Sequence, residues 1–195
     1  KMENREGNVS STNHNLNISS NREAQKYTTI DMVKRLLWMA LGAPIFRWSP
    51  RPFFGWRRFV LRCFGASVGD GVNIYSSATI YFPWNLSIGD WSSIGEHAMI
   101  YNLGLITIGE QVTVSQRAHL CAGTHDYTDP TMPLLKPPIT IEDQVWICAD
   151  AFVGPGVTVG EGAIIGARAV SVKNVEPRSI VGGNPAQKIG RRKIN

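Results

Sequence analysis

The sequence predicts an all-β fold, a parallel β-helix of three-sided coils preceded by a helical appendage, and three observations predict it. From Val68 onward aliphatic residues recur with a period of six: Val68, Ile74, Ile80, then Ile88, Ile94, Ile100, then Ile108, Val114, Leu120, then Ile141, Ile147, Val153, Val159 and Ile165. A small or β-branched residue stands two places before many of them (Val72, Ala78, Ser92, Ala98, Val112, Ala118, Val145, Ala151, Val157, Ala163), and both sets are expected to point inward. The frame slips by two after Ile80 and again after Ile100, each time after three units, so the insertions should share one corner of successive coils. Six residues then make one short strand and one corner, and three such units close a coil. Stacked coils bury an aliphatic column that no single coil can bury. A β-sandwich would alternate with period two instead.

The elements follow in order. Residues 1–27 are almost devoid of apolar side chains and read as a polar tail. Residues 28–65 read as a helical collar rich in arginine and aromatics. Ile30, Val33, Leu36, Leu37, Ala40 and Leu41 have helical spacing, Thr29 or Asp31 is expected to cap the start, and Pro50 and Pro52 end that helix before a second short one over 56–64. The β-helix spans 66–182, with one long loop at 124–139, and 183–195 reads as a basic tail. Gly69, Gly89, Gly95, Gly109, Gly154, Gly160 and Gly166 each follow a core aliphatic, which suggests a corner conformation that a Cβ would penalise.

Composition narrows the functional classes. With 43% hydrophobic and 18% charged residues, the 195-residue chain should fold as one domain with an appendage. The net charge of +5 is concentrated at one end: residues 1–65 hold 11 Lys/Arg against 4 Asp/Glu, and the rest 9 against 11. That argues against a nucleic-acid-binding body. It leaves the collar either touching an anionic membrane or partner or simply solvated. Cys63, Cys121 and Cys148 show neither a disulfide framework nor CxxC spacing, which fits a reducing compartment. The opening residues do not resemble a secretory signal, and the stretch 33–46 is too short and interrupted to span a bilayer. A cytoplasmic protein, peripheral at the inner membrane face if the collar binds there, is the expectation.

The loop 124–139 (THDYTDPTMPLLKPPI) is the one long excursion from the repeat, and long loops on rigid scaffolds commonly carry function. His125 stands at its root, five residues past inward Leu120, so its ring should face outward. An imidazole there suits removal of a hydroxyl proton, although a loop histidine also serves as a backbone hydrogen-bonding group.

The segment "GTHDYTDP" together with "KPPITIEDQVWICADAFVGPGVTVGEGAIIGARAVSVKNVEPRSIVGGNPAQKI" is similar to the C-terminal half of hexapeptide-repeat acetyltransferases. "YFPWNLSIGD" and "IYNLGLITIGEQVTVSQRAHLCAGTHDY" resemble colanic acid and other exopolysaccharide acetyltransferases more closely. The resemblance covers about 53–192. It implies a left-handed helix, a homotrimer with sites between subunits, acetyl-CoA as cosubstrate, no metal, and O-acetylation of a sugar in a ternary complex. N-acetylation of an amino sugar also remains open. His125 matches the family's base. Asn102, expected to face outward, and Asp126 are candidates for contacting the acceptor or oxyanion, Asn102 serving equally as a turn residue before Gly104.

The same resemblance assigns cofactor contacts. Trp146 matches a tryptophan beside the pantetheine channel, or alternatively an exposed aromatic in the trimer contact. Ala149, Gly166 and Ala167 offer close backbone approach. Lys173, Lys188, Arg191 and Arg192 are candidates for the CoA phosphates, and Asn184 lies in the GGNPA turn beside the adenine. Cys148 departs from the family's glycine. Neither Cys121 nor Cys148 has the adjacent base expected of a nucleophile. Two rivals stay in view: a zinc carbonic anhydrase on the same coil using His97, His119 and His125, although its close histidines are five apart and here they are six, and a non-catalytic trimeric scaffold.

Overall fold

The computed structural model describes residues 15–194, and the expectations for 1–14 and 195 lie outside the described residues. The strands follow the six-residue beat. The first coil is β1 (Ser67–Val68), β2 (Asn73–Ile74) and β3 (Thr79–Ile80), and the second is β4 (Leu86–Ile88), β5 (Ser93–Ile94) and β6 (Met99–Tyr101). The third is β7 (Ile106–Ile108), β8 (Thr113–Val114) and β9 (His119–Cys121). A small hairpin, β10 (Thr124–His125) and β11 (Leu134–Leu135), then leaves the coil. The fourth coil is β12 (Ile139–Ile141), β13 (Trp146–Ile147) and β14 (Phe152–Val153), and the fifth is β15 (Thr158–Val159), β16 (Ile164–Ile165) and β17 (Val170–Ser171). Parallel pairing assembles them into three sides, β1-β4-β7-β12-β15, β2-β5-β8-β13-β16 and β3-β6-β9-β14-β17.

All fourteen period-six aliphatics are buried, as are the ten small residues two places before them. Strands of two or three residues have almost no stability alone, so the column holds them. Full burial of each Val, Leu or Ile is worth about 1.5–3 kcal/mol relative to exposure. Along the sides, backbone N–H groups donate to carbonyls of the next coil, as in Gly89 N to Ile108 O and Ser115 N to Ile147 O, both at 2.8 Å.

The corner glycines have a different cause from the one expected. The left-handed conformation falls two residues later, at Gly71, Trp91, His97, Gln111, Arg117, Gln144, Asp150 and Arg168. A non-glycine residue tolerates it there at a cost of about 1–2 kcal/mol, offset by the stacking. Most of the glycines directly after the aliphatic are required by the next coil, Gly154 excepted, where a Cβ would meet nothing nearer than 3.4 Å. A Cβ on Gly89 would lie 2.6 Å from Gly109 C, and one on Gly95 would lie 2.7 Å from Gln116 N.

The three insertions do share one corner, between the third and first sides: the segments 81–85, 102–105 and 122–138. Asn102 corrects an expectation here. It is 0% exposed rather than outward-facing. Its Oδ1 accepts from Tyr81 N at 3.2 Å and Phe82 N at 3.0 Å, while its Nδ2 donates to Phe82 O and to Asn85 O at 3.3 Å. The insertion displaces the inward–outward count by which it was placed, and the side chain fills its hydrogen-bonding capacity by knitting one corner insertion to the next.

The collar consists of α2 (Thr29–Leu37), a π-helical turn over Trp38–Gly42, α3 (Ala43–Arg47) and α4 (Phe54–Cys63), after a short α1 (Ile18–Glu23). The cap of α2 is Thr28, in a reciprocal box with Asp31, rather than Thr29. Trp38, Gly42 and Phe46 bury one face of the helix, and Gly42 has no side chain because the Trp38 indole lies over it. The opposite stripe, including Ile30, Val33, Leu37, Leu41 and Ile45, is exposed.

Much of the collar's positive charge is turned toward the coil. The first coil has no predecessor, so its carbonyls need other donors. Arg62 Nε donates to Val68 O at 2.8 Å, Arg58 Nη1 to Val72 O at 2.8 Å, and Trp38 Nε1 to Ile80 O at 2.9 Å. Arg57, 0% exposed, donates to Ile74 O. All three sides of the open end are thereby capped, and these arginines are not free for an anionic surface. At the other end, the segment read as a basic tail pairs instead. β18 (Ser179–Gly182) extends the second side, and β19 (Gln187–Arg191) adds to it antiparallel. Similarly, 15–27 is not a detached tail, since α1 rests on the long loop.

Candidate functional site

His125 ends β10, exposed at the root of the loop, as expected from its spacing past Leu120. The hairpin pairs His125 with Leu134, which brings the Met132 carbonyl 2.7 Å from Nδ1. A carbonyl oxygen only accepts, so Nδ1 carries a hydrogen, and in the neutral imidazole Nε2 keeps the lone pair. That tautomer is the one a base needs, because the free nitrogen is the one farther from the backbone.

Asp126 follows directly, and its carboxylate is partly committed. Its Oδ1 accepts from Thr128 N at 2.9 Å and Thr128 Oγ1 at 2.6 Å, bonds that hold the acid below the usual carboxylate range. An ionised carboxylate cannot donate to an oxyanion, which removes that role. Its other oxygen can accept from an acceptor hydroxyl. Tyr127 projects from the loop beside it.

Trp146 lies on the second side, 45% exposed, with Nε1 donating to Ser115 Oγ at 2.9 Å. Toward the collar from it, the same side forms a cleft of about 500 Å³ whose lining includes Asn73, Tyr75, Ser93, Thr113 and Gln116. Ala149 is half-buried and Ala167 exposed at stacked corners of the fourth and fifth coils, joined by Arg168 N to Ala149 O at 3.0 Å. The Gly166 amide is committed to Val181 O at 2.8 Å. His125 and Trp146 belong to different faces, so a single chain does not bring them together.

Lys173 and Lys188 meet at a cleft of about 310 Å³ near the C-terminal end. Lys188 is paired with Glu176 at 2.7 Å, which holds that carboxyl low. Arg191 is exposed on β19, and Asn184 is exposed in the turn before it. Arg192 is spent on Gln144 O at 2.6 Å and Gly162 O at 3.3 Å, a structural use unlike the phosphate contact expected.

Burial pushes the Cys121 and Cys148 thiols above their ordinary values, which disfavours the nucleophilic thiolate at both. His97 sits on an exposed corner and His119 on β9, its ring edge-on to Phe152 at 5.2 Å. Among the described residues no three His, Cys, Asp or Glu side chains gather as a metal-holding group. Burial also pushes the His119 imidazole below its ordinary value, and its Nε2 has no hydrogen-bond partner.

A histidine whose folded pKa is depressed binds fewer protons than the unfolded chain. Its contribution is therefore present above the unfolded value of about 6.5 and lost as pH falls below it. His119→Phe should be less sensitive to lowering the pH from 7.5 to 5.5 in urea melts than the wild-type protein, and an unchanged dependence would refute this assignment.

Sequence reading missed Met132, which holds a left-handed φ of 46° while presenting its carbonyl to His125. A backbone acceptor leaves no trace in residue identity. It also missed Ser115, which had no motif to mark it.

The fold and loop define a class, three-sided β-helices of six-residue repeats with a histidine-bearing hairpin at one corner. The model of the bacterial transferase hexapeptide (six repeats) matches residues 138–170. The chain is 41% identical over 160 residues to WcaF of Escherichia coli K12, a protein named for acetyl transfer in colanic acid biosynthesis, covering 82% of this chain and 88% of that one. Its fold is shared with the hexapeptide-repeat acetyltransferase VCA0836 of Vibrio cholerae (TM-score 0.78, 23% identity, 86% and 95% covered). It is equally shared with galactoside acetyltransferase in complex with coenzyme A (TM-score 0.78, 22% identity, 91% and 92% covered). The chain belongs to the hexapeptide-repeat acetyltransferase family and is an acyltransferase. No described helix is long and apolar enough to cross a membrane.

Proposed function

We propose that this protein transfers the acetyl group of acetyl-CoA to a hydroxyl of a sugar or polysaccharide precursor, with His125 as general base. The observation that carries the reading is the Nδ1 hydrogen bond to Met132 O at 2.7 Å, which makes Nε2 the proton-accepting nitrogen of the neutral imidazole at the root of an exposed loop. In a ternary complex, Nε2 removes the hydroxyl proton as the oxygen attacks the thioester carbonyl. Collapse of the tetrahedral intermediate expels the CoA thiolate, and the imidazolium returns the proton to sulfur. No acyl-enzyme is needed, in keeping with two half-buried, unactivated thiols.

Lys173 and Arg191 supply free positive charge for the CoA phosphates at the C-terminal end, and Trp146 flanks the pantetheine arm. The cleft lined by Asn73, Ser93, Thr113 and Gln116, with the Tyr75 ring, has the hydroxyl, amide and aromatic surface that suits a sugar. Because His125 and Trp146 lie on different faces of one chain, the site is completed between copies of a homotrimer, and the WcaF likeness favours an exopolysaccharide acceptor.

The test is release of free thiol from acetyl-CoA against a panel of p-nitrophenyl hexosides and amino sugars, with the oligomer mass measured alongside. Expected are turnover with a neutral sugar, a product cleaved by alkaline hydroxylamine as esters are, and a mass three times the 21.5 kDa chain. A hydroxylamine-resistant product would establish N-acetylation instead, and CoA binding without release for any acceptor would establish a scaffold.

A further inference from the structure

We infer that Asn21, on a strap outside the coil, is a positioning residue for the base, because its amide clamps the same Met132 carbonyl that selects the tautomer of His125. The inference rests on the reading of His125 as the base. The strap is residues 15–27, which cross the long loop. Asn17 N donates to Pro130 O at 2.8 Å. Within α1, Asn21 Nδ2 donates to Thr131 O at 2.8 Å and to Met132 O.

The orientation of the Asn21 amide is set from its other end. Lys26 Nζ donates to Asn21 Oδ1 at 2.6 Å, and a cation can only meet the oxygen, so the nitrogen must face the loop. The strap is then pinned again: Lys136 Nζ donates to Lys26 O at 2.9 Å and lies 4.4 Å from the centre of the Tyr27 ring, which stacks on Phe82 at 5.8 Å. Two regions far apart in sequence are thus tied at several points, and the tie closest to the chemistry is the one at Met132.

The carbonyl needs this support. Met132 occupies the left-handed region at φ 46°, unfavourable for a residue with a Cβ, so the turn does not hold its direction unaided. Within the loop, Asp129 Oδ1 steadies the turn by accepting from Thr131 N at 2.7 Å and Thr131 Oγ1 at 2.8 Å. A carbonyl has two lone pairs, and here one receives the His125 Nδ1 hydrogen and the other the Asn21 amide. Without the clamp, the turn relaxes, the imidazole samples its other tautomer, and Nε2 carries the hydrogen for part of the time. The result would be fewer productive orientations rather than weaker binding of acetyl-CoA.

The experiment compares full-length wild-type protein with Asn21→Ala and Asn21→Asp, the latter keeping the size and the Lys26 contact but having no N–H. Turnover is measured with the best p-nitrophenyl hexoside acceptor, and the tautomer of His125 by ¹⁵N NMR of histidine-labelled protein without acceptor. Both variants should lose roughly tenfold or more in kcat at unchanged KM for acetyl-CoA, and their His125 signals should move from Nδ1–H toward a mixture. Variants with wild-type kcat and a single tautomer would overturn the inference while leaving the base intact, as would a fall in kcat with the tautomer unmoved. If His125→Ala is itself fully active, the reading of the base fails instead, and the tautomer signal still reports on the clamp.

Discussion

His125→Ala is expected to lower kcat by about 10²–10⁴-fold while leaving the fold and the affinity for acetyl-CoA almost unchanged. The magnitude is the usual contribution of a positioned base. The selectivity follows from the structure: the ring is exposed at the loop root and its one hydrogen bond is to a backbone carbonyl, so truncation opens no core cavity. His125→Gln keeps a polar group of similar reach without a basic nitrogen, and it should be as inactive as the alanine. Thermal melts and CoA titration run beside the kinetics separate the cases. Retention of more than about a tenth of wild-type kcat in His125→Ala would sink the assignment, because a general base contributes at least about a hundredfold.

The fold was legible in the sequence because its cause is periodic. Within each coil a core aliphatic lies six residues from the next, and the same spacing decides which side chains enter the column, so Ile74, Ile94, Val114, Ile147 and Ile165 announce both strand and burial. What periodicity does not carry is contact between coils. The Gly89 position looks like a turn glycine in the sequence, yet its constraint is Gly109 stacked upon it twenty residues later. The collar shows the same limit. Composition counts the charges of Arg57, Arg58 and Arg62 but cannot say that they are spent on the carbonyls of the first coil.

The candidate site was legible in part for related reasons. The loop betrays itself by breaking the repeat, and His125 sits where that break begins. Lys173 and Lys188, fifteen residues apart in sequence, do line one cleft. Arg192 bears the same charge as Arg191 but turns back to cap Gln144 and Gly162, a distinction set by the local path of β19. The clamp from Asn21 had no sequence signal, since its partners are main-chain oxygens more than a hundred residues away and any residue type supplies those.

Asn102→Ala should be among the most destabilising substitutions in the chain, at about 3–5 kcal/mol. Its amide is fully enclosed and serves two N–H groups and two carbonyls, from Tyr81, Phe82 and Asn85. Truncation orphans the Phe82 N–H and the Asn85 carbonyl, whereas Tyr81 N keeps Ile100 O at 3.3 Å and Phe82 O keeps the Asn85 N–H at 2.8 Å. Each orphan costs about 1–3 kcal/mol when buried and unmade, reduced to the extent that water enters the space left behind. Asn102→Asp keeps the acceptor oxygen but places a second acceptor against Phe82 O and Asn85 O, so it should not rescue. Equilibrium urea melts give the stability. The activity of the remaining folded fraction decides the role: as a corner brace, Asn102→Ala should keep kcat and acceptor KM within a few-fold of wild type per folded molecule. A large loss of kcat with normal stability would return Asn102 to the acceptor or oxyanion contact its sequence position suggested.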